Sequence, residues 1–267
     1  AKEVARRLPS DHSICWSPDG SRIYFSQAEI NRGFNIYQDL YSYDLKKDRL
    51  ERITSGLRIK EADISPDGRR FAVIVNERGN QNLAILEIEG NSRRLTQLTE
   101  YREMHLSGPR WSPDGGNIAY AVKDNTGKSS IHIFNIAEKT DTQLFENSNI
   151  NAYVTWSPDG KYIIYSSDET NVYNLFAWSI QENKRYQITH LLGGAFQPDI
   201  SAKGTEMVFS VYGSKGFNIA VIDYNPEGWM TSPGPAIKPY WKEDGEEPRI
   251  KNSELRSDSE LRAKPYS

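Results

Sequence analysis

An all-β propeller built from four-stranded blades is the architecture this sequence predicts, and three observations carry it. A tight-turn motif recurs at near-constant spacing, a strand with period-two alternation follows each copy at a fixed offset, and the composition is polar yet rich in aromatics. The motif reads Trp16-Ser17-Pro18-Asp19-Gly20, then Ile64-Ser65-Pro66-Asp67-Gly68, Trp111-Ser112-Pro113-Asp114-Gly115 and Trp156-Ser157-Pro158-Asp159-Gly160, and in worn form Ile200-Ser201-Ala202-Lys203-Gly204. Its glycines lie 48, 47, 45 and 44 residues apart. A unit of that size holding four strands is the size of a propeller blade.

Each element follows from local chemistry. Pro sets φ for the first corner of a type I turn, Asp suits the second, and Gly takes the left-handed position after it, so Gly20, Gly68, Gly115, Gly160 and Gly204 are structural turn residues. Three and five residues beyond each glycine stand apolar side chains: Ile23 and Phe25, Phe71 and Val73, Ile118 and Tyr120, Ile163 and Tyr165, Met207 and Phe209. That alternation predicts the second strand of each hairpin. Third strands are expected over 34–43, 82–88, 130–136, 173–180 and 217–223. Shorter fourth strands, often ending in Thr, are expected over 50–54, 94–99, 141–145 and 184–189. A fifth fourth strand is missing after Asp223. Two arrangements stay open: the segment Glu3 to Leu8 pairs with the last blade, or earlier blades of a longer chain have been removed, which the lack of an initiator Met favours. The propeller is assigned to residues 1–228 and a Pro-rich, charged linker to 229–267, leading to other domains of a longer chain. The repeated Ser253-Glu254-Leu255-Arg256 and Ser259-Glu260-Leu261-Arg262 there give no apolar helical face. Trp229, Tyr240 and Trp241 are available to dock the start of the linker.

Composition excludes several function classes. Apolar residues make up 37% and charged residues 26%, with a mean hydropathy of -0.68, and aromatics reach 11%, which argues against a disordered chain. No run approaches the roughly 18 apolar residues of a membrane helix. A net charge of -3 offers no basic excess for nucleic acid. Cys15 alone cannot form an internal disulfide and reads as a small buried residue.

The Trp-Ser-Pro-Asp-Gly hairpin followed by an alternating strand resembles the WD40-like repeat of the TolB propeller family, over roughly residues 8 to 223. The resemblance implies a scaffold that binds a protein or peptide partner in the bacterial periplasm or cell envelope. Related propellers accompany peptidase domains, which implies as alternatives a substrate-positioning domain of a larger peptidase or hydrolase and, least, a metal-dependent propeller lyase. The chain departs from the family in showing five repeats where six blades are usual, with no α/β domain ahead of them.

Site chemistry is sought where strands end near the propeller axis. The residue before each Trp or Ile of the hairpin reads Cys15, Asp63, Arg110, Thr155 and Asp199; Glu61 is the alternate neighbour of Asp63. Asp63 and Arg110 belong to successive blades, so an ion pair is expected. His12, His105 and His190 fall between blades and could converge as ligands or a base, although unrelated surface histidines are the simpler reading. His132 reads as a half-buried packing residue. No Gly-x-Ser-x-Gly, His-Glu-x-x-His, Cys-x-x-Cys or phosphate-cradling loop is present. No catalytic residue, metal or cofactor is therefore assigned.

Overall fold

The computed structural model describes residues 9–31, 33, 35–147, 149–213 and 216–231, with residues 9–13, 31, 146 and 147 described by backbone alone. The expected strand Glu3 to Leu8 and the linker from residue 232 onward, with Tyr240, Trp241 and the Ser253 and Ser259 repeats, lie outside the described residues. The chain forms antiparallel sheets in series, the blades of a β-propeller, and divides into two compact units, residues 1–156 and 157–267.

In the first unit, β1 (Pro9–Trp16), β2 (Arg22–Asn31), β3 (Asn35–Asp44) and β4 (Arg49–Arg52) make one sheet in chain order. β5 (Ile59–Ile64), β6 (Arg70–Glu77), β7 (Asn80–Glu89) and β8 (Ser92–Gln97) make the next. β9 (His105–Trp111), β10 (Asn117–Lys123), β11 (Ser129–Asn135) and β12 (Thr140–Asn147) make the third, and β13 (Asn151–Trp156) ends the unit. In the second unit come β14 (Tyr162–Ser167), β15 (Asn174–Ser179) and β16 (Lys184–Gln187), then a three-stranded sheet of β17 (Ala195–Ile200), β18 (Glu206–Gly213) and β19 (Gly216–Asp223). After a single 3-10 turn at Pro226–Gly228, β20 (Met230–Thr231) returns to pair Met230 with Gln187 and Thr231 with Tyr186. Trp229 packs its ring against Tyr162, Tyr186 and Tyr224, which anchors that return.

Burial explains why the blades stack. The alternation expected for β6 holds, but the residues between are buried too: Phe71, Ala72, Val73 and Ile74 are all 3% exposed or less. Phe71 and Val73 pack with Cys15, Leu40, Ile64 and Leu86 between the first and second blades. Ala72 and Ile74 turn the other way, to Leu106, Trp111, Tyr120 and Phe134 of the third. In the second unit Ile164, Leu175 and Ala177 meet Met207, Phe209 and Ala220 in the same manner.

The turn that repeats is held by its own side chains. Gly68 and Gly115 have φ of 72° and 70°, and each donates its N–H to the serine carbonyl three residues back. Ser112 Oγ donates to Asp114 Oδ1 at 2.5 Å and accepts from Asn117 N–H at 2.9 Å, while Asp114 also accepts from Gly116 N–H. The same bonds recur around Ser17, Ser65 and Ser157. Successive turns also lie close: a Cβ on Gly68 would stand in ordinary contact, 3.7 Å, with Pro18 of the preceding blade, and one on Gly115 3.7 Å from Pro66. One turn therefore seats the next.

Two outcomes follow. Hydroxyl and N–H donors hold Asp19 down to about 2 and keep Asp67 and Asp114 below the ordinary value. A carboxylate whose folded pKa is depressed stabilises the fold above its unfolded value of about 3.9 and loses that contribution as pH falls through it. The urea midpoint should stay level from about pH 7 to about pH 5 and fall below that, with a shallower fall in Asp67→Asn/Asp114→Asn. Ser112→Ala, which removes the acceptor of the half-buried Asn117 N–H and the donor to Asp114, should cost about 0.5–1.5 kcal/mol in the same assay.

Candidate functional site

The first strand of each blade carries a device that the pairing pattern reveals. On β9 the register to β10 shifts between Arg110 and Ser107, and Gly108 within that bulge has φ of 62°. Tyr153 and Gln197, seven residues before their own turn glycines as Gly108 is before Gly115, are likewise left-handed, with φ of 56° and 53°. A bulge releases a backbone N–H from the ladder and re-aims its neighbours. Glu61, a buried carboxylate on β5, takes the released N–H: its Oε2 accepts from Gly108 at 2.5 Å, while Lys60 Nζ stands 3.3 Å from its Oε1. Gly108 takes its left-handed φ without the steric cost that Tyr153 and Gln197 bear at the equivalent positions.

Two residues further along, the same stitch repeats. Asp63 Oδ2 accepts from Trp111 N–H at 2.8 Å, and Arg110 Nη1 stands 3.3 Å from Asp63 Oδ1. Trp156 Nε1 then donates to Arg110 O at 3.1 Å, carrying the chain of contacts to β13. Cys15 lies at the equivalent position of the first blade, buried; desolvation, and next the charge of Asp63, pushes its thiol well above its ordinary value, so it stays a protonated packing residue. Asp199 occupies the equivalent position on β17 in the second unit, exposed, and accepts from Ile200 N–H. Glu61, Asp63 and Arg110 are thus brought together as a run of blade-to-blade stitches.

The histidines are placed separately. His105 is the exposed first residue of β9, paired with Lys123. His190 is exposed in the second unit with its Nδ1 3.3 Å from Gln187 Nε2, and His12 lies on β1, described by backbone alone. Among the described residues no three His, Cys, Asp or Glu side chains gather as metal ligands.

His132 corrects its sequence reading. It is 8% exposed and fully engaged: its Nε2 lies 3.0 Å from Ser130 Oγ, and its Nδ1 lies 3.2 Å from Asp141 and 3.1 Å from Tyr101 Oη. Burial opposes ionisation of Asp141, but hydrogen bonds from His132 and Tyr101 outweigh it and hold the carboxyl below its ordinary value. The network pins the connection after β8 to the third blade.

A second recurrent anchor escaped the sequence reading. The Thr expected to end each fourth strand lies just past it, and its hydroxyl accepts a third-strand N–H: Thr54 from Leu40, Thr99 from Leu83, Thr189 from Leu175, each at 2.9 Å. Each donates in turn to a third-strand Asp or Asn: Asp39, Asn82 or Asn174. Buried Asp39 also accepts from Arg52 and from the N–H groups of Gly56 and Leu57. The signal was present as an Asp or Asn standing 15 to 17 residues before each Thr.

Comparison with known proteins agrees with this architecture. The model of the TolB beta propeller domain matches residues 63–233. YuxL of Bacillus subtilis, an uncharacterised peptidase, is 27% identical over 199 residues, 73% of this chain but 28% of its own length. A Tol-Pal system protein TolB of Francisella tularensis is 28% identical over 189 residues, 66% of this chain and 42% of its own. The structure of a putative TolB from Agrobacterium tumefaciens superposes with a TM-score of 0.68 at 22% identity, covering 82% of this chain and 79% of that one. The chain therefore spans less than half the length of these two sequence relatives.

The stitch between Asp63 and β9 is measurable. Asp63→Ala removes the acceptor of the Trp111 N–H and the Asp63–Arg110 ion pair, and should cost about 1.5–3 kcal/mol by urea denaturation. Arg110→Ala should cost less, and the double mutant less than the sum, because the two share one interaction.

Proposed function

The chain belongs to the TolB β-propeller family, and on that footing we propose that it is a non-catalytic scaffold whose loops hold a protein or peptide partner in the bacterial cell envelope. One observation carries the reading: the ionisable groups at the ends of the first strands, Glu61, Asp63 and Arg110, are spent on joining blade to blade. Such groups stiffen a frame, and loops on a stiff frame are suited to binding at low ordering cost. The envelope setting rests on likeness to TolB proteins named for the Tol-Pal system. Among the described residues no helix is long and apolar enough to cross a membrane.

A second reading has its own support. The match to YuxL spans 73% of this chain and little more than a quarter of that peptidase, as it would if the same propeller served as one module of a larger hydrolase. There it would position substrate for a catalytic domain outside residues 1–267.

Calorimetric titration of the purified chain with the Pal component of a Tol-Pal system separates the two. Saturable one-to-one binding is the expected result for the scaffold. No heat with that component, together with faster peptide cleavage when the chain is fused to a YuxL-type hydrolase domain, would move the assignment to the second reading.

A further inference from the structure

A groove of about 950 Å³ in the first unit lies between β4 of the first blade and the 67–71 turn, β7 and Arg93 of the second, apart from the first-strand stitches. Its floor is the partly exposed Tyr24, set edge-on against buried Phe71 at 4.9 Å and flanked by the partly exposed Ile53 and Ile88. Its walls carry six arginines and four carboxylates; Arg22, Arg49 and Arg52 are paired with Asp44, Glu51 and Asp39, while among the described residues Arg69 and Arg93 form no ion pair.

Arg93 is the informative member. It crosses the groove from the second blade to the first, donating Nε–H to Ile53 O at 2.9 Å and Nη1–H to Gly90 O and Ser92 O at 2.8 and 3.0 Å. Carbonyl oxygens fix the guanidinium in place without neutralising it, so a full positive charge is held ready at the groove mouth. Arg69 is exposed on the adjoining turn, and Arg49, 66% exposed, is held by Glu51 at 2.8 Å.

We propose that this groove binds an acidic peptide segment that alternates carboxylate and apolar side chains, a deepening of the partner-binding reading on which it rests. Guanidinium forks pair with carboxylates in plane, and the apolar floor takes the side chains between them. A polyphosphate backbone fits worse, because a charge at every step would meet the four carboxylates of the walls and leave the Tyr24–Phe71 floor unused. The volume is near the upper end of the roughly 300–1,000 Å³ usual for ligand clefts.

The test uses the whole chain and fluorescence anisotropy with three labelled probes: a peptide of alternating Glu and Leu, its Lys–Leu counterpart, and an oligouridylate. The Glu–Leu peptide should bind saturably and weaken as salt rises from about 0.05 M to about 0.5 M, where screening shortens to a few ångströms. Arg69→Glu, at an exposed turn where the fold tolerates it, and Arg93→Ala should each weaken binding about tenfold, equivalent to about 1.4 kcal/mol. Thermal melting checks that both variants are folded. No binding of the Glu–Leu peptide, equal binding of the Lys–Leu peptide, tighter binding of the oligouridylate, or indifference to Arg69→Glu would overturn the assignment. If the acidic peptide fails while the Pal component still binds, the groove assignment alone falls; if both fail, the scaffold reading falls with it.

Discussion

A blade of this protein is a sheet with two apolar faces, and that is the constraint from which the rest of the structure follows. On β6, Phe71 and Val73 point one way and Ala72 and Ile74 the other, and none of the four is left to water. Four short strands cannot cover both faces of themselves, so each blade is stable only between neighbours. A small residue sits where the sheets approach: Ala72 is fully buried in the cluster with Trp111, Ile118 and Tyr120. Stacking of this kind is non-directional, however, and by itself would leave the blades free to slide against one another.

Register is supplied by polar groups, each satisfying a need that the backbone creates. The bulge on β9 takes the Gly108 N–H out of its ladder, and an unpaired N–H in a buried place costs about 1–3 kcal/mol. Glu61 supplies the missing acceptor from the neighbouring blade, so the defect in one sheet becomes a joint between two. Thr54, Thr99 and Thr189 do similar work where β4, β8 and β16 end, accepting the N–H that the strand no longer can. Pro18 lies near Gly68, and Pro66 near Gly115, so successive turns sit side by side.

These layers differ in how plainly the sequence announces them. The turn and the alternating strand were legible because a type I turn followed by a left-handed residue needs Pro, Asp and Gly at fixed positions, and few other residues will do. The pairing of Asp63 with Arg110 was legible too, since equal offsets from successive turns place two side chains in neighbouring blades. Gly108 was not. Its counterparts are Tyr153 and Gln197, so the bulge leaves no common residue type, and only the three-dimensional register exposes it. The return of Met230 and Thr231 to β16 was hidden for a different reason: two residues make no pattern, and what directs them is Trp229 finding Tyr162, Tyr186 and Tyr224, a long-range contact among aromatics scattered in the chain. His132 was misread because its position on a third strand says nothing of Tyr101, which arrives from another blade.

The three-stranded sheet of the second unit shows what happens when the governing constraint is only half met. Along β18 the alternation is clean: Met207 and Phe209 are buried, whereas Val208 is 37% exposed and Tyr212 49%. On β19 Ala220 is buried while Phe217 is 64% exposed, its ring resting on Phe196 and Tyr212. Among the described residues of that unit, one face meets β14 and β15, and on the other Phe196, Tyr212 and Phe217 pack on one another with Tyr173 against Phe196. Burying a large apolar side chain adds roughly 1.5–3 kcal/mol, so within this unit the exposed Val208, Tyr212 and Phe217 contribute less than Met207, Phe209 and Ala220. Local opening draws first on elements with few buried apolar contacts. Stability within that unit must therefore grade from β14 and β15, where Ile164, Leu175 and Phe176 are fully buried, toward β19, where backbone pairing with β18 carries most of the load.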